Sequence, residues 1–137
     1  MKAAGSVLMP FVFLLFMAGC TGHPPGRVYD KDGKEYGKVG GTFRNQWWNF
    51  YERGISYADG RFYAEALADL TTAVGLRDGD QRMARTYGMH FIDYLPHREL
   101  GVIHYQSGNL EAAKTELELS ISQFPSAKAH FLSLIHI

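Results

Sequence analysis

The sequence predicts an all-α fold, in which helix-turn-helix repeats follow a flexible N-terminal segment, and three observations predict it. From Trp47 onward the apolar residues recur at spacings of three and four, the period of one helix face, rather than at the spacing of two that marks a strand. Two stretches, 47–78 and 94–125, each break once, at Asp59-Gly60 and at Ser107-Gly108-Asn109, so each reads as two short helices around a tight turn. The stretches also match one another: Gly54, Ala66, Leu70 and Ala73 in the first correspond to Gly101, Ala113, Leu117 and Ser120 in the second.

Composition narrows the function classes before any motif is read. The chain has 137 residues, room for one small domain, and part of that length is N-terminal apolar sequence. Fourteen basic and fourteen acidic residues cancel, so no overall field draws in a phosphate backbone, and nucleic acid is not expected as a partner.

The first element, residues 1–19, has the form of an export signal. Lys2 supplies a small positive region, and Val7 to Met17 an apolar run too short for a comfortable bilayer span. It closes on Met17-Ala18-Gly19-Cys20, which resembles the bacterial lipobox, with Met17 where Leu is usual. The resemblance implies cleavage between Gly19 and Cys20, a diacylglycerol thioether on the Cys20 thiol, and an acyl chain such as palmitate on the new amine. At about 0.8 kcal/mol per buried methylene, two or three chains hold a protein durably on a bilayer. A lipid anchor in the bacterial envelope is therefore expected. Thr21 in place of Asp points to the outer membrane, facing the periplasm. Cys20 is the single cysteine, so once lipidated it leaves no thiol for a disulfide, a zinc site or a nucleophile. No cofactor is expected beyond that covalent lipid.

Residues 20–45 are rich in glycine, proline and charge and read as a flexible tether. Within them Val28 to Tyr36 fits a short hairpin over Asp32-Gly33. Asp30-x-Asp32-Gly33 also looks like half of a calcium loop, but the third acidic ligand before the glycine and the closing glutamate are missing. No metal site is assigned.

In the helical region, 46–131, the order Gly, Tyr, Gly, Ala, large apolar, Ala, Pro resembles the tetratricopeptide repeat, a helix-turn-helix unit of about 34 residues. Gly54, Tyr57, Ala66 and Leu70 carry it in the first unit, with the turn glycine, Gly60, one place early. Gly101, Ala113, Leu117 and Pro125 carry it in the second, with His104 replacing Tyr and Ser120 replacing Ala. The small residues let paired helices approach closely, Gly54 facing Ala66 and Gly101 facing Ala113. The resemblance implies a fragment of an α-solenoid whose inner face, built by the first helix of each pair, holds a protein or peptide partner. Carried over by position, that face comprises Trp48, Tyr51, Ile55, Ala58 and Asp59, then Leu95, Arg98, Val102, Tyr105 and Gln106, with Trp47 and Phe50 in the core.

Gly54 and Gly101 lie 47 residues apart, which is about thirteen more than the standard period. The surplus is the insert 79–93. There Asp80 is expected to cap a short helix running to Tyr87, Gly88 to break it, and the chain to run extended to Pro96. Protein-specific function is expected in this insert.

His90, His97 and His104 recur every seven residues. Seven residues on a helix span about 10 Å, too far for one ion, so these histidines read as fillers of aromatic repeat positions rather than metal ligands. Arg82, Arg85, Arg98 and Lys114 form no dense basic run. The sequence offers no glycine-rich phosphate loop, serine elbow or paired-carboxylate site, and no catalytic residue is assigned.

Pro125 closes the second unit, and residues 126–131 begin a third with Phe131 at its aromatic position. Residues 132–137, Leu-Ser-Leu-Ile-His-Ile, make a nearly unbroken apolar hexamer. It resembles a translation of transposon-end adapter DNA used in sequencing libraries, so the natural protein is expected to continue past Phe131. Two functions fit these readings. The first is an envelope lipoprotein whose repeats bind or scaffold another protein. The second is the anchoring front of a larger lipoprotein enzyme, for example a peptidase, whose catalytic domain lies beyond this chain.

Overall fold

A computed structural model describes residues 26–134. The export signal 1–19, the lipidation position Cys20 and residues 135–137 lie outside them.

Asp32 and Gly33 both take positive φ, 55° and 74°, as the right-handed twist of a two-residue hairpin loop requires. They join β1 (Tyr29–Lys31) to β2 (Lys34–Tyr36), with Tyr29 opposite Tyr36. The hairpin packs on the first helices. Tyr29 stacks on Phe62 at 4.3 Å, its hydroxyl donates to Glu65 Oε1 at 2.5 Å, and Lys31 Nζ donates to the Gly60 carbonyl at 3.0 Å. The Gly37 N–H donates to Ser56 Oγ, the Tyr57 hydroxyl donates to the Arg27 carbonyl, and Phe43 sets its edge on Phe50. Residues 26–45, expected as a flexible tether, are therefore folded onto the helices, because their aromatic side chains find apolar surface to cover.

Helices α1 (Trp47–Gly60) and α2 (Tyr63–Leu76) form one helical hairpin, and α3 (Pro96–Gln106) and α4 (Leu110–Gln123) form another. Asn49, buried, fixes the entry to α1 by accepting at Oδ1 from the backbone N–H of Arg44 at 2.9 Å and of Gln46 at 3.4 Å. Each hairpin closes over a glycine. A Cβ on Gly54 would sit 2.9 Å from Leu70 Cγ, and one on Gly101 2.6 Å from Leu117 Cγ. The leucine is thus the glycine's nearest neighbour, not the alanine expected, although Ala66 and Ala113 are buried beside them.

Both first helices end in the same motif. Phe62 N–H donates to the Tyr57 carbonyl at 2.9 Å and Arg61 N–H to Ala58 at 3.0 Å, while Asn109 donates to His104 at 2.8 Å and Gly108 to Tyr105 at 3.1 Å. This is a Schellman ending, whose penultimate residue is left-handed. That residue is Arg61 (φ 65°) in the first hairpin and Gly108 (φ 85°) in the second. Gly60 stays helical; a Cβ there would lie 2.6 Å from the Phe62 ring and 2.8 Å from Tyr36, so its smallness seats the β1–β2 hairpin.

The insert corrects the predicted fold class. It forms a hairpin, β3 (Gln81–Arg85) with β4 (Phe91–Tyr94), so the fold is mixed α/β rather than an all-α solenoid. Asp80 does not cap a helix over 81–87. Its Oδ1 accepts from the His97 N–H at 2.8 Å, and its Oδ2 accepts from the Arg98 N–H at 3.2 Å and from Ser120 Oγ at 2.5 Å. The carboxylate thereby caps α3 from a distant point in the chain, with Pro96 at the first helical position, where its missing N–H costs nothing. With that cap engaged elsewhere, residues 81–85 pair with 91–94 through a bulge at Met83, φ 52°.

Ala84 and Tyr94 carry the hairpin into the core, where Tyr94 meets Trp47 at 4.5 Å and Tyr51 at 4.9 Å. A last helix, α5 (Ala127–Leu134), begins where a third unit was expected, with Ser126 Oγ accepting from the Ala129 N–H at 3.2 Å. Ala129 is its buried contact; Phe131, at the aromatic position of the expected third unit, is 66% exposed. No described helix is long and apolar enough to cross a membrane.

Candidate functional site

The ten side chains assigned to one partner groove separate into three environments. Tyr51 is a core residue: it is buried, its hydroxyl accepts from the Leu95 N–H at 3.3 Å, and burial pushes its pKa up to about 12. Leu95 is buried with it, and Ile55 and Ala58 pack half-buried against the core. Arg98 is held by Glu99, with Nε donating to Oε1 at 2.8 Å, and Tyr105 is half-buried on α3. Asp59, Val102 and Gln106 do converge, with Ala58, in a groove of about 450 Å³ between α1 and α3, where Lys128 of α5 reaches Glu99. Of the packing residues, Tyr57, Ala66, Leu70, Ala113, Leu117 and both helical glycines are buried, and Pro125 is exposed just after α4.

Trp48 lines a different and larger cleft of about 580 Å³. One wall is the loop 38–44 with Gly40, Gly41 and Arg44, another is α1 with Trp48 and Glu52, and the third is the β3–β4 loop with Tyr87 and His90. That loop is held in shape by its own hydrogen bonds: Thr86 N–H donates to the His90 carbonyl at 2.9 Å, and Thr86 Oγ lies 2.8 Å from His90 Nδ1. Tyr87 and His90 stack at 5.2 Å, and the Trp48 ring stands 6.3 Å from Tyr87. Burial raises the pKa of Glu52, partly countered by His90. On the same hairpin Met83 (62%), Tyr87 (64%) and Met89 (83%) are exposed, and of these Tyr87 lines the cleft.

The charged centres that organise the second hairpin lie elsewhere. His97, buried, has Nδ1 2.7 Å from Glu116 Oε2 and Nε2 2.7 Å from Asp78 Oδ1. The bond to Glu116, then that to Asp78, lifts its pKa to about 9 against the opposing effect of burial, so both ring nitrogens donate at neutral pH. His97 in turn lowers the pKa of Asp78. His97 thus works as a buried cation rather than as an aromatic filler, and His90 is the histidine that stacks. Among the described residues no cluster of His, Cys, Asp or Glu is arranged to hold a metal ion.

The loop 38–44 and Glu52 carry no site signal in the sequence, and Tyr87 and His90 carry only that of the insert as a whole, because these residues meet only once the β3–β4 hairpin folds across α1. The chain matches no protein-family model, no curated protein and no solved structure.

Proposed function

We propose that this is a lipid-anchored protein of the bacterial envelope, held on the outer membrane through acylated Cys20, whose folded part binds a segment of another protein. The anchor rests on the Met17-Ala18-Gly19-Cys20 resemblance to a lipobox. The two helical hairpins keep the small-residue packing that resembles tetratricopeptide units, here within a mixed α/β fold. The observation that carries the binding reading is the insert hairpin, which keeps Met83, Tyr87 and Met89 in solvent and whose Tyr87 lines a cleft together with Trp48. Exposed methionine and aromatic side chains gathered on one hairpin are a costly arrangement in water and a favourable one under a partner.

The test is site-specific photocrosslinking of the full chain in intact bacterial cells, with a benzophenone side chain in place of Met89 and, as control, in place of Lys114 on α4. The expected result is a discrete protein adduct from position 89, absent from position 114 and lost when Cys20→Ser prevents lipidation and so keeps the chain from the outer membrane. Absence of a position-dependent adduct would overturn the reading.

A further inference from the structure

We propose that the cleft beside the insert hairpin takes a cationic side chain, a lysine ammonium or an arginine guanidinium, of the protein segment bound there; this rests on the peptide-binding reading above. Trp48 and Glu52 are four residues apart on α1, so they occupy one face of the helix, and both line the cleft. Tyr87 and His90 close the opposite wall as a stacked pair. An aromatic face beside a carboxylate is the environment that attracts a cation over a neutral group of the same size, through the ring quadrupole and the carboxylate charge together.

Glu52 is the informative residue. Among the described residues its carboxylate receives no hydrogen bond and forms no ion pair, whereas Asp69, Asp80, Asp93, Glu99 and Glu116 are all engaged. Its surroundings take it partly out of water, and the raised pKa registers the cost of charging it there. An arriving cation supplies the missing counter-charge. The basic groups already at the cleft do not fill that role: Lys38 Nζ is paired with Glu35, Arg44 is exposed and forms no ion pair with Glu52, and His90 offsets only part of the cost of charging Glu52. A volume of about 580 Å³ holds one such side chain with its flanking peptide units.

The experiment uses the full chain in detergent with its two tryptophans labelled at the indole nitrogen, Trp48 being assigned through Trp48→Phe. N-acetyl-arginine amide and N-acetyl-lysine amide are titrated against N-acetyl-norleucine amide as the neutral isostere. The expected result is a saturable shift of the Trp48 indole signal with the two cations and none with norleucine. Glu52→Gln and Tyr87→Ala, the latter at an exposed position that leaves the fold intact, should each weaken cation binding at least tenfold. Equal response to norleucine, or cation binding unchanged in Glu52→Gln, would overturn the inference while leaving the peptide reading standing. No response to any probe, with the position-89 adduct still formed, would also overturn it alone; loss of both would remove both.

Discussion

The two helical hairpins place an acid at the same point of their second helices and answer it with different cations from different places. Aligned on Gly54 and Gly101, Asp69 corresponds to Glu116, Arg53 to Leu100 and Phe50 to His97. In the first hairpin the partner of the acid is Arg53, whose Nε and Nη2 donate to the two Asp69 oxygens at 2.5 and 2.8 Å in a buried bidentate pair, with the Phe43 ring 4.2 Å from the guanidinium. In the second, an aliphatic residue takes the arginine position and the cation moves back one helical turn to His97, shared between Glu116 and Asp78. The packing is conserved within the molecule while the charge pair is not. One hairpin is closed by a cation that never loses its proton, the other by one that can.

The comparison is broken most forcefully at the acids. Asp69→Ala strands a buried guanidinium and should destabilise the protein by about 3–5 kcal/mol. Glu116→Ala should cost less than half as much, because His97 keeps Asp78 and can shed its charge. Urea denaturation of the two variants, followed by circular dichroism, checks the ratio, and equal losses would mean that the two pairs are equivalent after all.

A smaller effect sharpens the same comparison at the turns. Arg61 holds a left-handed conformation that glycine supplies freely at Gly108. Arg61→Gly should therefore stabilise by about 1 kcal/mol, and Gly108→Arg should destabilise by about the same amount. Thermal melting of the pair of variants reads both signs, and a loss of stability in both would show that the Arg61 side chain contributes more than its backbone conformation costs.

The features legible in the sequence are local. The spacing of Trp47, Phe50, Gly54 and Tyr57, and its echo in the second stretch, locates the four helices of the two hairpins, and Asp32-Gly33 locates the first turn, because each of these signals lies within one element. The insert reads as helix in the sequence and folds as strand for the opposite reason. Asp80 is a good cap, but the helix it caps starts at Pro96, and that choice depends on Ser120 and on the approach of α4. Residues 81–85 carry no alternating pattern: four of the five are exposed, and the strand is anchored by Ala84 alone. Tyr51 falls in the groove by position because its place on α1 faces inward in a regular stack; the insert brings Tyr94 there and makes the same position core. The cleft is illegible in the sequence because its three walls come from three separate segments.

The most direct test of the central claim, that the second hairpin is closed by a titratable cation where the first is not, is folding stability against pH for the wild type and for His97→Phe, which installs the residue found at the matching place in the first hairpin. The pKa of His97 is raised from the ordinary 6.5 to about 9 on folding. Its contribution is therefore fully present below about pH 6.5 and is lost as pH rises through about 9, a fall of about 3 kcal/mol across that window. The wild type should weaken from pH 6.5 to 9 while His97→Phe stays level; a level wild type, or the same fall in both proteins, would contradict the account.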